Sequence, residues 1–406
     1  MDMSNASNTS GVDRYIESLL KGLTRIGTYE IIWLSLRNDP QLFIHKEEKK
    51  EGYKKIILPL PEEQDPIIST QFWCEQYYLT AMEIISRYLV LQEVAIIHIH
   101  TLNLIDFASL IKKQYGCKII THLHCIPWKG LLNLQKDLFL DKYHQYYKEK
   151  NYNRKIYMSN IGEEHSYMSA DKIICVTKCG RDFVHNITRI PKDAIAVIPN
   201  GMDDCSDGCY EQRNFLKDAR RLLYVGALTE SKGINTILKV MDRLYQQGKA
   251  FELIAAGTKH PQFQNYVDMK YPYLNVQLVG TVDLDTLKRY YQWADIGCIA
   301  SLQEQSSYVA IEMAMFGLPI ITTAVDGLDE MFENGVSALK VRTHFDRYTG
   351  LSADEDQFLQ TILRLSKSIP LRSYLSKGAR KRYLSNFTLD QMVEQTIKVY
   401  EDVINK

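Results

Sequence analysis

Several things are missing from this 406-residue sequence, and each absence removes a class of function. There is no charge excess, since Lys plus Arg and Asp plus Glu both total 49. A balanced chain lacks the basic field that draws nucleic acid or an anionic membrane, a local patch aside. No apolar run reaches the ~20 residues of a membrane-spanning helix, and the opening MDMSNASNTSG is polar, unlike a secretory signal. The eight cysteines are scattered. Three residues separate Cys175 from Cys179 and Cys205 from Cys209, but no Cys/His cluster completes zinc spacing around either pair. They read as structural or incidental thiols of a reduced, cytoplasmic protein. An Asp-x-Asp at a strand end, the usual sign of a metal clamp on a phosphate, is also missing. The nearest candidate, DLD at 283–285, opens a surface helix, so no catalytic metal is expected.

What is present is a globular composition, 45% hydrophobic and 24% charged, long enough for two domains. GVDRYIESLLKGL sets Val12, Tyr15, Ile16, Leu19, Leu20 and Leu23 on one helical stripe. Short apolar runs (YEIIWLSL, VAIIHIH, KIITHLH, DKIICVT, AIAVIPNG) suit strands buried on both faces of a parallel sheet. Helices such as NLIDFASLIKKQYG lie between them. HKEEKKEGYKK, at 45–55, reads as a solvated loop. The rhythm pauses at PNGMDDCSDGCYEQRN, and a second alternating series follows, ending in an all-helical tail from 353. The expected architecture is therefore α/β, two doubly wound Rossmann-like domains at 1–198 and 199–385, with a final helix over 386–406. The first domain opens with a helix where a buried strand is normal. Its first strand is expected either to be missing or to lie upstream of Met1.

In open α/β sheets ligands bind beyond the carboxyl ends of the strands. Four strand ends in the second domain carry candidates: Gly226 followed by Lys232; Gly257; Gly280 with Thr281 and Val282; and Glu304 with Ser306 and Ser307. The helix starting after Ser307 would turn its free N–H groups and dipole toward an anion such as a diphosphate. Ser306 or Ser307 could cap that helix. Lys232 can add a point charge. Glu312, in the helix's second turn, can accept from the two vicinal hydroxyls of a ribose, and Glu304 can do the same for a hexose. Taken alone, Glu312 reads as a solvated helix residue and Lys232 as an exposed loop lysine. Their meeting on one side of one sheet is what suggests a sugar-nucleotide site.

These residues also carry a resemblance. EQSSYVAIEMAMFGLPII resembles the E-x7-E segment of the GT-B glycosyltransferases of the large retaining family 4. YVGALTESKG, VGTVDLDTLKRYYQWADI and VIPNGMDD match that family in its order, and GVDRYIESLLKGL is similar to its first helix. The wording EQSSYVAIEM further resembles a Bacteroides-type subgroup associated with peptide modification. The resemblance implies two domains facing across a cleft, with the last helix crossing back to the first. It implies Glu312 on the donor's ribose, Glu304 on the transferred sugar and Lys232 on the diphosphate. The backbone at Thr281 and Val282 would lie near the base, and that of Gln305, Ser306, Ser307 and Tyr308 would cradle phosphate. Gly11 would stand in the loop that approaches the donor. The donor, UDP- or GDP-linked, is a co-substrate, and no cofactor is implied. Most members carry an arginine where this chain has Ala227, one phosphate clamp fewer.

In the first half, KIITHLHC ends a strand with His122 and His124 on one face. The resemblance places His124 at the reaction centre. His100 is the weaker candidate, read as a hydrogen-bonded strand-end histidine. The long aromatic segment 126–170 suits acceptor contact or a helical cap over the sheet. The expected reaction is sugar transfer with retention to a carbohydrate, lipid-linked or peptide acceptor, with peripheral membrane contact left open. The alternatives are a catalytically degenerate binding or scaffold protein and a sugar-nucleotide epimerase.

Overall fold

The computed structural model describes residues 2–5, 11–38, 42, 45–59, 70–89, 94–126, 164–211, 213–346 and 350–405. Most of the aromatic segment 126–170 lies outside the described residues. Chain contacts divide the molecule into two compact units. Of the described residues, the first holds those of Met1–His124, Arg154–Asn200 and Leu389–Lys406, and the second those of Cys125–Asn153 and Gly201–Thr388.

The first unit begins with strand β1 (Asp2–Asn5), helix α1 (Gly11–Ile26), β2 (Ile32–Asn38), β3 (Lys46–Lys50), β4 (Tyr53–Pro59) and α2 (Thr70–Ile85). It continues through β5 (Ile96–Ile99), α3 (Ile105–Tyr115), β6 (Lys118–Leu123), β7 (Lys172–Cys175), α4 (Lys178–Thr188) and β8 (Ile195–Val197). Its strands form two four-stranded sheets, ordered β1-β2-β4-β3 and β5-β6-β7-β8, parallel except where β3 meets β4. Helix α1 buries Tyr15, Ile16, Leu19, Leu20 and Leu23, the stripe its period foretells, while Val12 is only half-buried. The C-terminal helix Leu389–Ile404 packs on α1 so closely that a Cβ on Gly22 would lie 2.2 Å from Val393 Cγ2.

Two expectations are corrected in this unit. A strand does precede α1: residues 2–5 pair in parallel with β2, from Asp2 opposite Ser35 to Asn5 opposite Asn38. A four-residue strand is held by its backbone ladder, and DMSN is too short and polar to show a hydrophobic run. The stretch 45–55 is not a loop either, because Lys46–Lys50 pairs antiparallel with Tyr53–Pro59 across the turn at Gly52. It is an edge strand, where charged side chains are stable and discourage pairing with another chain. Its opposite charges also neutralise locally, Glu48 pairing with Lys46 at 2.8 Å and Lys50 at 3.1 Å.

The second unit holds β9 (Arg221–Val225), α5 (Ile234–Gln246), β10 (Glu252–Ala256), α6 (Pro261–Lys270), β11 (Asn275–Gly280), α7 (Leu284–Trp293) and β12 (Ile296–Ile299). After these come α8 (Tyr308–Met315), β13 (Ile320–Thr323), α9 (Asp326–Met331), β14 (Leu339–Val341), β15 (Thr343–Asp346), β16 (Gly350–Ala353), α10 (Glu355–Lys367) and α11 (Ile369–Asn386). Six parallel strands run in the order β11-β10-β9-β12-β13-β14. The chain moves outward one way from β9 to β11, then returns to β9's other side with β12. This is the doubly wound order, and ligands bind at such a reversal. β12 and β13 are buried along their whole length, as the unbroken apolar runs foretell. The amino ends of β9 and β12 are tied by Asp295, which is 6% exposed. Its carboxylate accepts from the backbone N–H of Arg220 and Arg221, each at 3.0 Å, and from the Arg221 guanidinium at 2.7 Å.

At their carboxyl ends the same two strands release loops that cross in contact. Gly233 has φ +77°, and a Cβ there would lie 2.0 Å from the carbonyl oxygen of Ala300. Gly248 has φ +69° with nothing within 4 Å of its would-be Cβ. Gly248→Ala should therefore cost only the left-handed backbone term, about 1–2 kcal/mol. Gly233→Ala adds a backbone clash, and its urea midpoint should fall clearly below that of Gly248→Ala. Equal midpoints would show that the two loops part freely.

Candidate active site

The loops after β9 and β12 bring two of the expected residues into direct contact. Lys232 ends a 3₁₀ turn, Glu230–Lys232, and its Nζ donates to Glu304 Oε2 at 2.6 Å. The backbone fixes the pair. Leu302 N–H donates to the Ser231 carbonyl at 2.9 Å, and Gly327 N–H donates to the Glu304 carbonyl at 2.9 Å. Lys232 keeps 36% of its side chain exposed and Glu304 19%, so the pair faces the edge of the sheet and is not sealed in the core. Lys232 is thus neither a free loop lysine nor, in this state, a lone phosphate clamp. A partly exposed ion pair is weakly held, and an incoming phosphate can compete for the ammonium.

Helix α8 starts where the spacing places it. Ser307 is its cap, with Oγ accepting from Ala310 N at 3.3 Å. Gln305, Ser306 and Tyr308 around that cap are all buried. Glu312 corrects the solvated-residue reading, because it is 1% exposed and accepts a hydrogen bond from the Tyr291 hydroxyl at 2.7 Å. The reason is that α8 is packed all round, Met313, Ala314 and Met315 included, so its sequence has no polar face to mark a surface. Tyr291, on α7, is the partner that sequence reasoning missed. In LKRYYQWA it reads as one aromatic among several, and only the packing of α7 against α8 makes it a donor to a buried carboxylate.

The glycine-ended strands lie along the same edge. Gly226 (φ +143°) and Gly257 (φ +145°) have backbones open only to glycine, and Gly257 N–H donates to the Gly280 carbonyl at 2.7 Å. Thr281 and Val282 follow Gly280, Thr281 exposed and Val282 half-buried. Asp283 then caps α7 by accepting from Thr286 N at 2.8 Å, which accounts for DLD as a helix start. Ala227 contributes its carbonyl, accepting from the Tyr224 hydroxyl at 2.6 Å. Lys259, just past β10, is a further cation beyond a strand end, held by Gln264 Oε1 at 2.9 Å. In the first unit, Gly11 is the first residue of α1, and a Cβ there would meet nothing within 4 Å.

The first unit has its own polar centre. β5 and β6 are parallel neighbours in register, Ile97 opposite Ile119 and Ile99 opposite Thr121. That register sets His98 and His100 beside His122 and His124 on one face. His124 Nε2 and His100 Nδ1 are 3.0 Å apart, and His98 Nε2 and His122 Nδ1 are 3.2 Å apart. His98 Nδ1 lies 2.8 Å from the Tyr400 hydroxyl. The His122 and His124 rings stack at 4.2 Å, and Tyr15 meets both edge-on. His100 is thus a hydrogen-bonded strand-end histidine, and its partner is His124 itself. Burial pushes all four imidazoles toward the neutral form, His124 down to about 3 and the other three well below their ordinary value. His98 was not singled out from sequence. Its signal, a histidine two residues before His100, becomes meaningful only when the two strands are known to be neighbours.

These depressed values make the fold acid-sensitive. Unfolded imidazoles titrate near about 6.5, so below that pH the unfolded chain binds protons that the folded chain refuses. Stability should be full above roughly pH 6.5 and fall as pH drops toward the folded values. His122, 1% exposed, alone gives a slope of about 1.4 kcal/mol per pH unit in that window. Urea unfolding in EDTA at about pH 7.5, 6 and 5 measures it. A flat profile over that range would show that the rings ionise in place.

Comparison with known proteins agrees with this architecture. A family model described as Glycosyltransferase Family 4 matches residues 9–204, and one described as Glycosyl transferases group 1 matches residues 219–368. An uncharacterised glycosyltransferase of Methanocaldococcus jannaschii is 27% identical over 244 residues, which take in 57% of this chain and 60% of that relative. The chain thus spans less than two thirds of that curated relative's length. Among solved structures, sucrose-phosphate synthase from Thermosynechococcus elongatus superposes with a TM-score of 0.74 at 18% identity, covering 100% of this chain and 98% of that one. Anabaena HepE in complex with UDP-glucose gives 0.67 at 11% identity, covering 99% and 98%. At such identities these two likenesses speak for the fold alone. The family matches reach across both units, and with the doubly wound sheet order they show that the chain belongs to the GT-B glycosyltransferases.

Proposed function

We propose that this glycosyltransferase takes a UDP- or GDP-linked sugar at the carboxyl edge of the second unit's sheet and transfers it with retention of anomeric configuration. The observation that carries this reading is the Lys232–Glu304 pair at the β9/β12 reversal, just ahead of the capped start of α8. A cation and a helix N-terminus suit a diphosphate. A carboxylate beside that cation suits the hydroxyls of the attached sugar. Glu312 is the carboxylate for the ribose, and the backbone at Thr281 and Val282 borders the base. Gly226 and Gly257 let the chain approach the donor without a Cβ. The backbone of Gln305, Ser306, Ser307 and Tyr308 cradles phosphate.

In this reading the bond from the anomeric carbon to the β-phosphate oxygen breaks, and its electron pair leaves with the nucleoside diphosphate. The acceptor hydroxyl oxygen bonds the anomeric carbon on the face the phosphate departs, and its proton passes to a phosphate oxygen. Lys232 and the α8 N–H groups meet the charge that grows on the leaving group. The loss of an arginine at Ala227 leaves Lys232 with more of that task. No cofactor takes part. The acceptor is a carbohydrate, a lipid-linked sugar or a peptide.

Calorimetric titration of the full chain with UDP, GDP and ADP is the direct test. One diphosphate should bind, and Glu312→Ala should weaken it roughly 10–100-fold, the worth of hydrogen bonds to a charged group. Lys232→Ala should weaken it as well and steepen the loss at low salt. No binding by any of the three, or sugar transfer that persists in Glu304→Ala/Glu312→Ala, would overturn the proposal.

A further inference from the structure

The histidine cluster of the first unit has a geometry that the donor-site reading does not use. Four imidazoles converge from the carboxyl ends of β5 and β6, and one ligand nitrogen from each of His98, His100 and His122 lies within 4.8 Å of the others. His98 Nε2 and His122 Nδ1 are already 3.2 Å apart. Two nitrogens bound to one tetrahedral ion at about 2.0–2.1 Å stand roughly 3.3 Å from each other, so this separation matches one edge of a coordination polyhedron.

The outer contacts also fit. A metal-bound imidazole usually gives its remaining N–H to a second group, which fixes the tautomer and the ring. His98 has the Tyr400 hydroxyl at 2.8 Å from Nδ1, and in the tautomer with the proton on Nδ1 its Nε2 offers a lone pair. His100 has His124 Nε2 at 3.0 Å from Nδ1, and the same tautomer frees its own Nε2. His122 is 1% exposed and turns Nδ1 toward His98, while its Nε2, with no hydrogen-bond partner among the described residues, takes no part in the site.

We propose that His98, His100 and His122 form a binding site for a single divalent transition-metal ion of the Zn²⁺ class. Imidazole sets of this kind suit Zn²⁺ above Mg²⁺ or Ca²⁺, which prefer oxygen. Tyr400 and His124 are then the outer partners, and one coordination position is left for water or an anion. Tyr15, fully buried with its ring edge-on to His122 and His124, walls the site on the α1 side. The site draws its ligands from two strands of the first unit only. It stands or falls independently of nucleotide binding by the second.

The test uses the full chain stripped with EDTA and titrated with Co²⁺ under visible absorption, followed by Zn²⁺. The expected result is one equivalent of Co²⁺ with a tetrahedral nitrogen-ligand spectrum, displaced by one equivalent of Zn²⁺. His98→Gln and His122→Gln should each weaken binding by more than the roughly 10–100-fold that losing an outer partner costs, and Tyr400→Phe should cost about tenfold. His344→Ala, at an exposed histidine, should change nothing. X-ray absorption on the Zn²⁺-loaded wild type needs no variant and should show about three imidazole nitrogens near 2.0–2.1 Å. It decides the matter if His122→Gln fails to fold. Absence of stoichiometric binding, a sulfur-to-cobalt charge-transfer band from a cysteine such as exposed Cys125, or undiminished affinity in folded His98→Gln would overturn the assignment.

Discussion

The parallel pairing of β9 with β12 is the constraint on which the candidate donor site depends. These strands are far apart in sequence, and their adjacency is what reverses the direction of winding. Asp295 secures that adjacency at the amino ends, where one buried carboxylate satisfies two backbone N–H groups and a guanidinium. Removing that carboxylate would leave two backbone N–H groups without their acceptor, which makes this junction hard to loosen. At the carboxyl ends the same adjacency forces two loops into backbone contact at Gly233 and Ala300. Lys232 and Glu304 meet because the strands beneath them meet.

The two polar centres use opposite physical strategies. On the second unit's sheet edge, the charges are exposed enough to exchange partners. Lys232 can leave Glu304 for a phosphate because water and the ligand share the cost of separating them. Deeper in the same unit, Glu312 is buried and stays in place because a tyrosine hydroxyl is supplied to it. In the first unit the imidazoles meet one another and the Tyr400 hydroxyl. Four imidazoles sit together, and burial keeps them neutral. Neutral rings can hydrogen-bond one another, offer lone pairs and stack, which charged rings at these distances could not do without several kcal/mol of repulsion.

Much of the fold was legible in the sequence. Unbroken apolar runs such as IGCI and IITT are buried on both faces, and the 3.6-residue stripe of α1 is buried as its spacing foretells. The helix start at Tyr308 follows from the serine before it and the buried run behind it. These are local signals, set by residue type and period, and so they survive without knowledge of the rest. The two misread strands share one origin. DMSN and KEEKK form strands through backbone ladders whose partners lie 30 or so positions away or across a turn, and side-chain patterns do not report a ladder.

By itself the sequence determined the α/β alternation, the glycine-ended strand ends and the order of residues that resembles a GT-B transferase. Tertiary structure alone decided who touches whom. It paired Lys232 with Glu304, buried Glu312 beneath Tyr291, and joined two separate His-x-His runs into one cluster facing Tyr400. The physical reason is that periodicity fixes which face a residue takes, while its neighbours on that face depend on strand order and register. Those are set by the balance of the whole core, and no short stretch of the chain records it.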